Sequence, residues 1–197
     1  MELMREYPDN HFNLAVVDPP YGIGADGNKK STGSHGGRKA HEQKSWDSKP
    51  PEAAYFTELK RVSKNQIIWG ANYFPQHLTP SMGWIAWDKG QRICSSDQEL
   101  AYSSFNRALR VFTLNRCALA VEGTIHPTQK PVKLYDWIFA NYAEKGMTIL
   151  DTHMGSGSIA IAAHYAGMHL TACELDEDYF KAACERIDRE TMQTTFL

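Results

Sequence analysis

The chain has 197 residues, 42% of them hydrophobic and 22% charged, with a net charge of -2. This is an ordinary globular balance, long enough for one domain with a full core and poorly matched to a disordered chain. A mean hydropathy of -0.48 and no apolar run of membrane-spanning length exclude a helical span. Met1 to Asn10 carry four charges and do not read as a leader. The cysteines at 94, 117, 173 and 184 have no metal-type spacing and suggest a reducing compartment.

In chain order, Asn13 to Val17 form a short apolar run that predicts a buried parallel strand, delivering Asp18 at its end. Residues 22–49 are rich in Gly, Ser, Lys and His. From Asn28 to Lys49 there are six basic residues against two acids, +4 locally, which predicts a basic flexible loop. Pro51 to Val62 read as a helix with Tyr55, Phe56, Leu59 and Val62 on one side. Gln66 to Trp69, Trp84 to Trp87 and Leu100 to Ser103 read as strands. Pro131 to Lys145 read as a helix with proline at its start and Gly146 past its end. Thr148 to Leu150 and His169 to Cys173 are further strands; Ser156 to Ala166 and Asp176 to Arg189 are further helices. The alternation predicts an α/β class, a Rossmann-like, mostly parallel sheet with helices on both faces, in a single domain over 1–197.

Two turns carry chemistry. Asp151-Thr-His-Met-Gly155-Ser-Gly157-Ser joins a strand to a helix. Its glycines allow close approach of a ligand, and the helix start presents free N–H groups. Glu174 ends the next strand 23 residues after Asp151, where a carboxylate can hold both hydroxyls of a ribose. Met154 and Leu175 flank these groups. A dinucleotide site fits the glycines too, but Asp151 would sit near a pyrophosphate and repel it; it suits a cationic ligand such as the ammonium end of S-adenosylmethionine. A plain tight turn is the bland alternative.

The second turn, Asp18-Pro19-Pro20-Tyr21, is rarer, with chance odds on the order of 0.001. The prolines fix the backbone and hold the Pro19 carbonyl outward. A nucleobase amine is a poor nucleophile because its lone pair is delocalised into the ring. Two acceptors on its N–H bonds, the Asp18 carboxylate and the Pro19 carbonyl, draw it toward a tetrahedral shape. Tyr21 offers a face for stacking, and alignment supplies most of the rate.

These residues resemble the amino-methyltransferases that modify DNA bases with S-adenosylmethionine, in the permuted β-type order, catalytic turn first. Asp18 to Tyr21 resembles their catalytic motif in its adenine-N6 form. Asp151 to Gly157 resembles their cofactor turn, and His126-Pro-Thr-Gln-Lys-Pro131 is similar to the segment before their cofactor helix. The resemblance covers nearly the whole chain. It implies that Asp18, Pro19, Pro20 and Tyr21 are catalytic. It implies that Asp18, Thr128, Lys130, Asp151, Met154, Gly155, Ser156, Gly157, Ser158, Glu174 and Leu175 hold the cofactor, and that no metal is used. Cytosine N4 is the alternative target; a non-catalytic DNA-binding module of the same fold is the alternative from another class. The relatives place a strand with an Asp-Cys pair ahead of a short helix. Met1 to Tyr7 is similar to that helix with the strand missing, so one wall of the adenine pocket is expected to be absent or supplied differently.

The implied partner is double-stranded DNA, with the target base flipped out. Lys29, Lys30, Arg38 and Lys39 are expected to neutralise phosphates. Residues 105–125 are the short candidate target-recognition insert, with Arg107, Arg110 and Arg116 placed to read guanine edges. Trp46 is a candidate anchor, and Tyr73 and Phe74 are expected in the core. A homodimer is compatible with so short an insert. The resemblance implies a cytoplasmic bacterial or phage-encoded protein.

Overall fold

The computed structural model describes residues 1–27, 41–90, 96–115 and 123–192. Lys29, Lys30, Arg38, Lys39 and Arg116 lie outside the described residues.

The elements follow the predicted alternation. A four-residue helix α1 (Glu2–Arg5) precedes strand β1 (Phe12–Val17). Then come α2 (Ala53–Val62), β2 (Ser63–Trp69), two short 3-10 turns over Ala71–Tyr73 and Pro75–His77, β3 (Trp84–Asp88), β4 (Gln98–Ser103) and β5 (Arg110–Thr113). The chain continues through α3 (Val132–Tyr142), β6 (Thr148–Asp151), α4 (Ser158–Ala166), β7 (His169–Ala172) and α5 (Glu177–Thr191). Two differences have clear causes. Helix α3 ends at Ala143, whose backbone is extended, so Glu144 and Lys145 belong to a turn into β6. Strand β5 falls inside the expected recognition insert. Its residues are largely exposed, so it lacks the apolar run that betrays a buried strand.

The strands form one sheet in the order β5-β3-β4-β2-β1-β6-β7. Strand β4 runs antiparallel to β2 and β3; every other pairing is parallel. Among the described residues β7 pairs with β6 alone and is an edge. The period-two alternation of β1 splits the core between two layers. Leu14 and Val16 join Ile149 and residues of α3 and α4 on one face. Ala15 and Val17 join Phe56 and Leu59 of α2 and Met4 of α1 on the other.

The chain order reverses at β1, which has β2 on one side and β6 on the other. In open α/β sheets such a switch point opens a crevice at the carboxyl ends of the strands. Register pairs Ala15 with Leu150. Asp18, just past β1, and Asp151, the last residue of β6, thus stand at the carboxyl ends of neighbouring strands.

Candidate active site

The Asp18 bend leaves β1 and turns across the end of β2. Its shape is held by Asp47, which is 1% exposed. Asp47 Oδ1 accepts the Tyr21 and Gly22 amides at 2.7 and 2.8 Å, and Oδ2 accepts the Ala25 amide at 2.7 Å. Gly22 has φ +73, and a side chain there would run into Pro50 at 2.6 Å. The returning limb of the basic segment is therefore folded tightly against the Asp18 turn. Lys44 continues the fastening. Its ammonium bonds Asp176 at 2.6 Å and Asp178 at 2.8 Å at the start of α5. Asp176 also caps that helix through the Asp178 and Tyr179 amides.

Tyr21 lies directly over Gly70. A Cβ at Gly70 would stand 2.0 Å from the tyrosine ring, so only glycine fits. Tyr21 also stacks on Tyr73, with centroids 4.9 Å apart and planes inclined by 17°. Tyr73 is 44% exposed, while Phe74 is fully buried. Phe74 is core as expected. Tyr73 is not, and it belongs to the site.

Asp18, Tyr21, Gly70 and Tyr73 line a cavity of about 620 Å³ together with Trp46, Thr128, Lys89, Glu99 and Lys130. On its wall stands a run of alternating charges. Tyr21 donates its hydroxyl to Asp18 Oδ1 at 2.6 Å. Lys130 Nζ bonds Asp18 Oδ2 and lies 3.3 Å from Glu99 Oε2. Lys89 Nζ bonds Glu99 Oε1 at 2.9 Å and the Ser96 carbonyl at 3.0 Å. Burial pushes the Asp18 carboxyl up, against the lowering pull of Lys130. Burial also opposes ionisation of Glu99, yet its two lysines hold it below its usual value. Lys130 is held charged by the Asp18 and Glu99 carboxylates despite its burial. Lys130, expected among the cofactor residues, bonds Asp18 in this structure.

The glycine turn stands at the end of β6. Asp151 is 2% exposed. It accepts the His153 amide at 3.0 Å, and no lysine or arginine pairs with it among the described residues. Burial, reinforced by the charges of Asp18 and Glu174, pushes its carboxyl up to about 8. Glu174 bridges the turn, accepting the Gly155 amide at 2.8 Å and the Asp176 amide at 3.0 Å. Gly157 has φ +74, and a Cβ would meet Ile187 at 2.9 Å, so α5 packs on a bare backbone. The hydroxyls of Ser156 and Ser158 lie 3.1 Å apart, both buried. Arg186 Nη1 donates to Ser158 Oγ at 2.8 Å and to the Ser156 carbonyl at 3.0 Å. The Ser158 hydroxyl is thus turned into the protein. Met154 donates its amide to the Cys173 carbonyl at 3.0 Å. Leu175 is 93% exposed beside Glu174, an apolar surface at the open side of β7.

Between the two bends stands an aromatic group. His126 lies 5.2 Å from Trp46 and 4.4 Å from Tyr179, ring centre to centre, and a Cβ on Gly155 would sit 3.8 Å from it. Trp46 is an anchor, as expected, and it fastens the segment to His126. Thr128 faces the cavity, its hydroxyl 3.2 Å from His126 Nδ1. Burial holds His126 down at about 4, so its ring is neutral near pH 7. Arg110 is exposed on β5. Arg107 is committed to the body of the protein, with its guanidinium 5.5 Å from the Tyr142 ring centre and on the Asn141 carbonyl.

Sequence reasoning missed Asp47, Tyr73, Glu99 and Lys89. Asp47 is an acid in a lysine-rich run, a pattern shared with any solvated loop. The other three reach the site only through tertiary contacts.

A sheet of this order, with a switch point at β1 and carboxyl groups at the ends of β1 and β6, defines a Rossmann-like protein of the methyltransferase fold. A family model described as DNA methylase matches residues 69–185, and the chain belongs to that family. It is 34% identical over 65 residues to the type II methyltransferase M2.DpnII of Streptococcus pneumoniae, a stretch covering 33% of this chain and 24% of that protein. It is 31% identical over 65 residues to M.HpaI of Haemophilus parainfluenzae, covering 33% and 21%. The chain thus spans about a quarter of the length of these curated relatives. Among solved structures, the M1.HpyAVI–SAM complex aligns with a TM-score of 0.62 at 16% identity, over 95% of each chain. The cytosine-N4-specific PvuII DNA methyltransferase aligns with a TM-score of 0.61 at 12% identity, over 96% of this chain and 86% of that one. At these identities the likeness is one of fold.

Proposed function

We propose that the chain methylates double-stranded DNA, taking the methyl group of S-adenosylmethionine to the N6 amine of a flipped-out adenine. One observation carries the reading: the Asp18 bend and the glycine turn leave adjacent parallel strands at the same edge of the sheet. The donor set fits the cofactor. Asp151 is a buried carboxylate with no cationic partner among the described residues, and its raised proton affinity is what a cationic ligand would relieve. Glu174 and the Gly155 turn would hold the ribose and the amino-acid end, with Ser156 and Ser158 acting through backbone N–H groups and Gly157 shaping the turn, its own amide on the Met154 carbonyl. Met154, Leu175 and Thr128 would add contacts. When bound, the cofactor supplies a methyl already activated on a sulfonium.

The chain's own residues do the rest. Asp18 and the Pro19 carbonyl accept hydrogen bonds from the two amine N–H groups and orient the nitrogen lone pair, and one amine proton leaves after methyl transfer. Pro20 stiffens the turn. Tyr21, set over Gly70 and stacked on Tyr73, fixes the Asp18 rotamer through its hydroxyl, and the exposed side of Tyr73 would extend the aromatic wall to the base. The 620 Å³ cavity is of the size that takes a small ligand or a flipped base. Lys29, Lys30, Arg38, Lys39 and Arg110 would bear on the DNA backbone or base edges. The protein would work in the cytoplasm of a bacterium or for its phage, alone or as a homodimer.

Cytosine N4 is the second reading, favoured by the fold likeness to a cytosine-N4-specific enzyme. Incubation with cofactor and unmethylated DNA, then nucleoside mass spectrometry, separates the two. N6-methyl-2′-deoxyadenosine supports the proposal, N4-methyl-2′-deoxycytidine supports the second reading, and no methylated nucleoside overturns both.

A further inference from the structure

The charges behind Asp18 carry an inference that rests on the proposed reading of Asp18 as the amine acceptor. We infer that Glu99, backed by Lys89, is a positioning residue for Asp18, acting through Lys130. Lys130 is shared between two carboxylates, one on the catalytic turn and one on β4. A lysine held by Asp18 alone would commit its charge to that carboxylate and blunt it as an acceptor. Glu99 takes part of that charge away. Lys89 in turn is buried, holds the far oxygen of Glu99, and is itself fixed by the Ser96 carbonyl. The arrangement alternates positive and negative over four residues from four separate segments and closes on the hydroxyl of Tyr21. Four charged groups gathered at the wall of the same cavity are costly to bury, and a structural core would dispense with them. Their balance sets how much electron density Asp18 presents to the base.

This balance predicts opposite responses from two ends of one chain of contacts. In Glu99→Gln, Lys130 falls wholly to Asp18, and the Asp18 carboxyl titrates at lower pH. In Lys89→Met, Glu99 has only Lys130 left and draws it away, and the Asp18 carboxyl titrates at higher pH. The charged and titratable groups facing Asp18 are Lys130, Tyr21, Glu99, Asp151, Tyr55 and Tyr135. Of these, the two substitutions remove Glu99 or shift its hold on Lys130.

The test is carbon-13 NMR of the Asp18 carboxyl in the full chain, across pH, for the unaltered protein, Glu99→Gln, Glu99→Asp and Lys89→Met. Single-turnover methyl transfer is measured alongside. Shifts of opposite sign in Glu99→Gln and Lys89→Met support the inference. So do a fall of about ten-fold in the Glu99→Gln transfer rate at unchanged cofactor affinity, and partial recovery in Glu99→Asp. An unshifted Asp18 titration, or shifts of the same sign in both variants, overturns it even in a chain that methylates normally. A purely structural role would lower stability without the sign reversal. The NMR readout needs no turnover, so an unaltered chain that transfers no methyl overturns the proposed function while the titration still decides the role of Glu99.

Discussion

Asp151 should release a proton when the cofactor binds. In the free protein its carboxyl is pushed up to about 8 by burial, with Asp18 and Glu174 adding to the effect. One pH unit below that value, ten of eleven molecules carry the proton. A bound cation favours the ionised form and brings the carboxyl back toward its ordinary value. Binding at pH 7 therefore releases about 0.9 proton per site. Affinity should tighten by close to ten-fold between pH 6 and 7 and level off above about pH 8. The sign follows from the raised value: native Asp151 keeps a proton that the unfolded chain has lost, so its contribution to stability falls as pH rises toward 8. Isothermal calorimetry with S-adenosylmethionine in two buffers of different ionisation enthalpy reads the released proton directly. Asp151→Asn should bind with no proton release and no pH slope. Equal binding enthalpies in the two buffers for the unaltered chain would refute the reasoning.

Other substitutions probe the catalytic side. Asp18→Ala should lower methyl transfer by at least about a hundred-fold while circular dichroism stays native, and near-normal turnover would contradict the acceptor role. Asp47→Ala strands three amides that this carboxylate holds; a loss of about 3 kcal/mol should lower the melting temperature by about 10 °C, and a change within 2 °C would show the turn to be self-supporting. Gly70→Ala puts a methyl 2.0 Å from the Tyr21 ring, so transfer should fall steeply with cofactor binding intact; unchanged activity would mean the ring need not sit there. Replacing Lys29 and Lys30 together by Ala should make the salt dependence of DNA binding shallower by about 2 in log-log slope, and an unchanged slope would remove that segment from the interface.

How much of this was legible in the sequence depended on where the determinants lie. Strands β1, β2 and β6 announce themselves because burial on both faces demands unbroken apolar runs such as Leu14 to Val17 and Ile149-Leu150. The two turns are legible because their constraints are local: prolines fix one backbone, and glycines with φ of +53 and +74 fix the other. Strand β5 was not, since an exposed edge can be written in mixed residues. Nor were Asp47 and Glu99, whose roles come from meeting partners 22 to 31 residues away along the chain. Lys130 was singled out for the cofactor through the resemblance; that its ammonium meets Asp18 is a tertiary contact no local pattern announces. Tyr73 looked like core because it sits beside Phe74, yet a 3-10 turn sends the two rings to different places.

The central claim is spatial, and a structure of the chain with cofactor and an unmethylated duplex tests it most directly. The account predicts a base swung out of the helix, its amine on Asp18 and Pro19, with the methyl carbon about 3–3.5 Å from the nitrogen. A base held elsewhere, or a cofactor seated away from Asp151 and Glu174 and out of reach of Asp18, would contradict it.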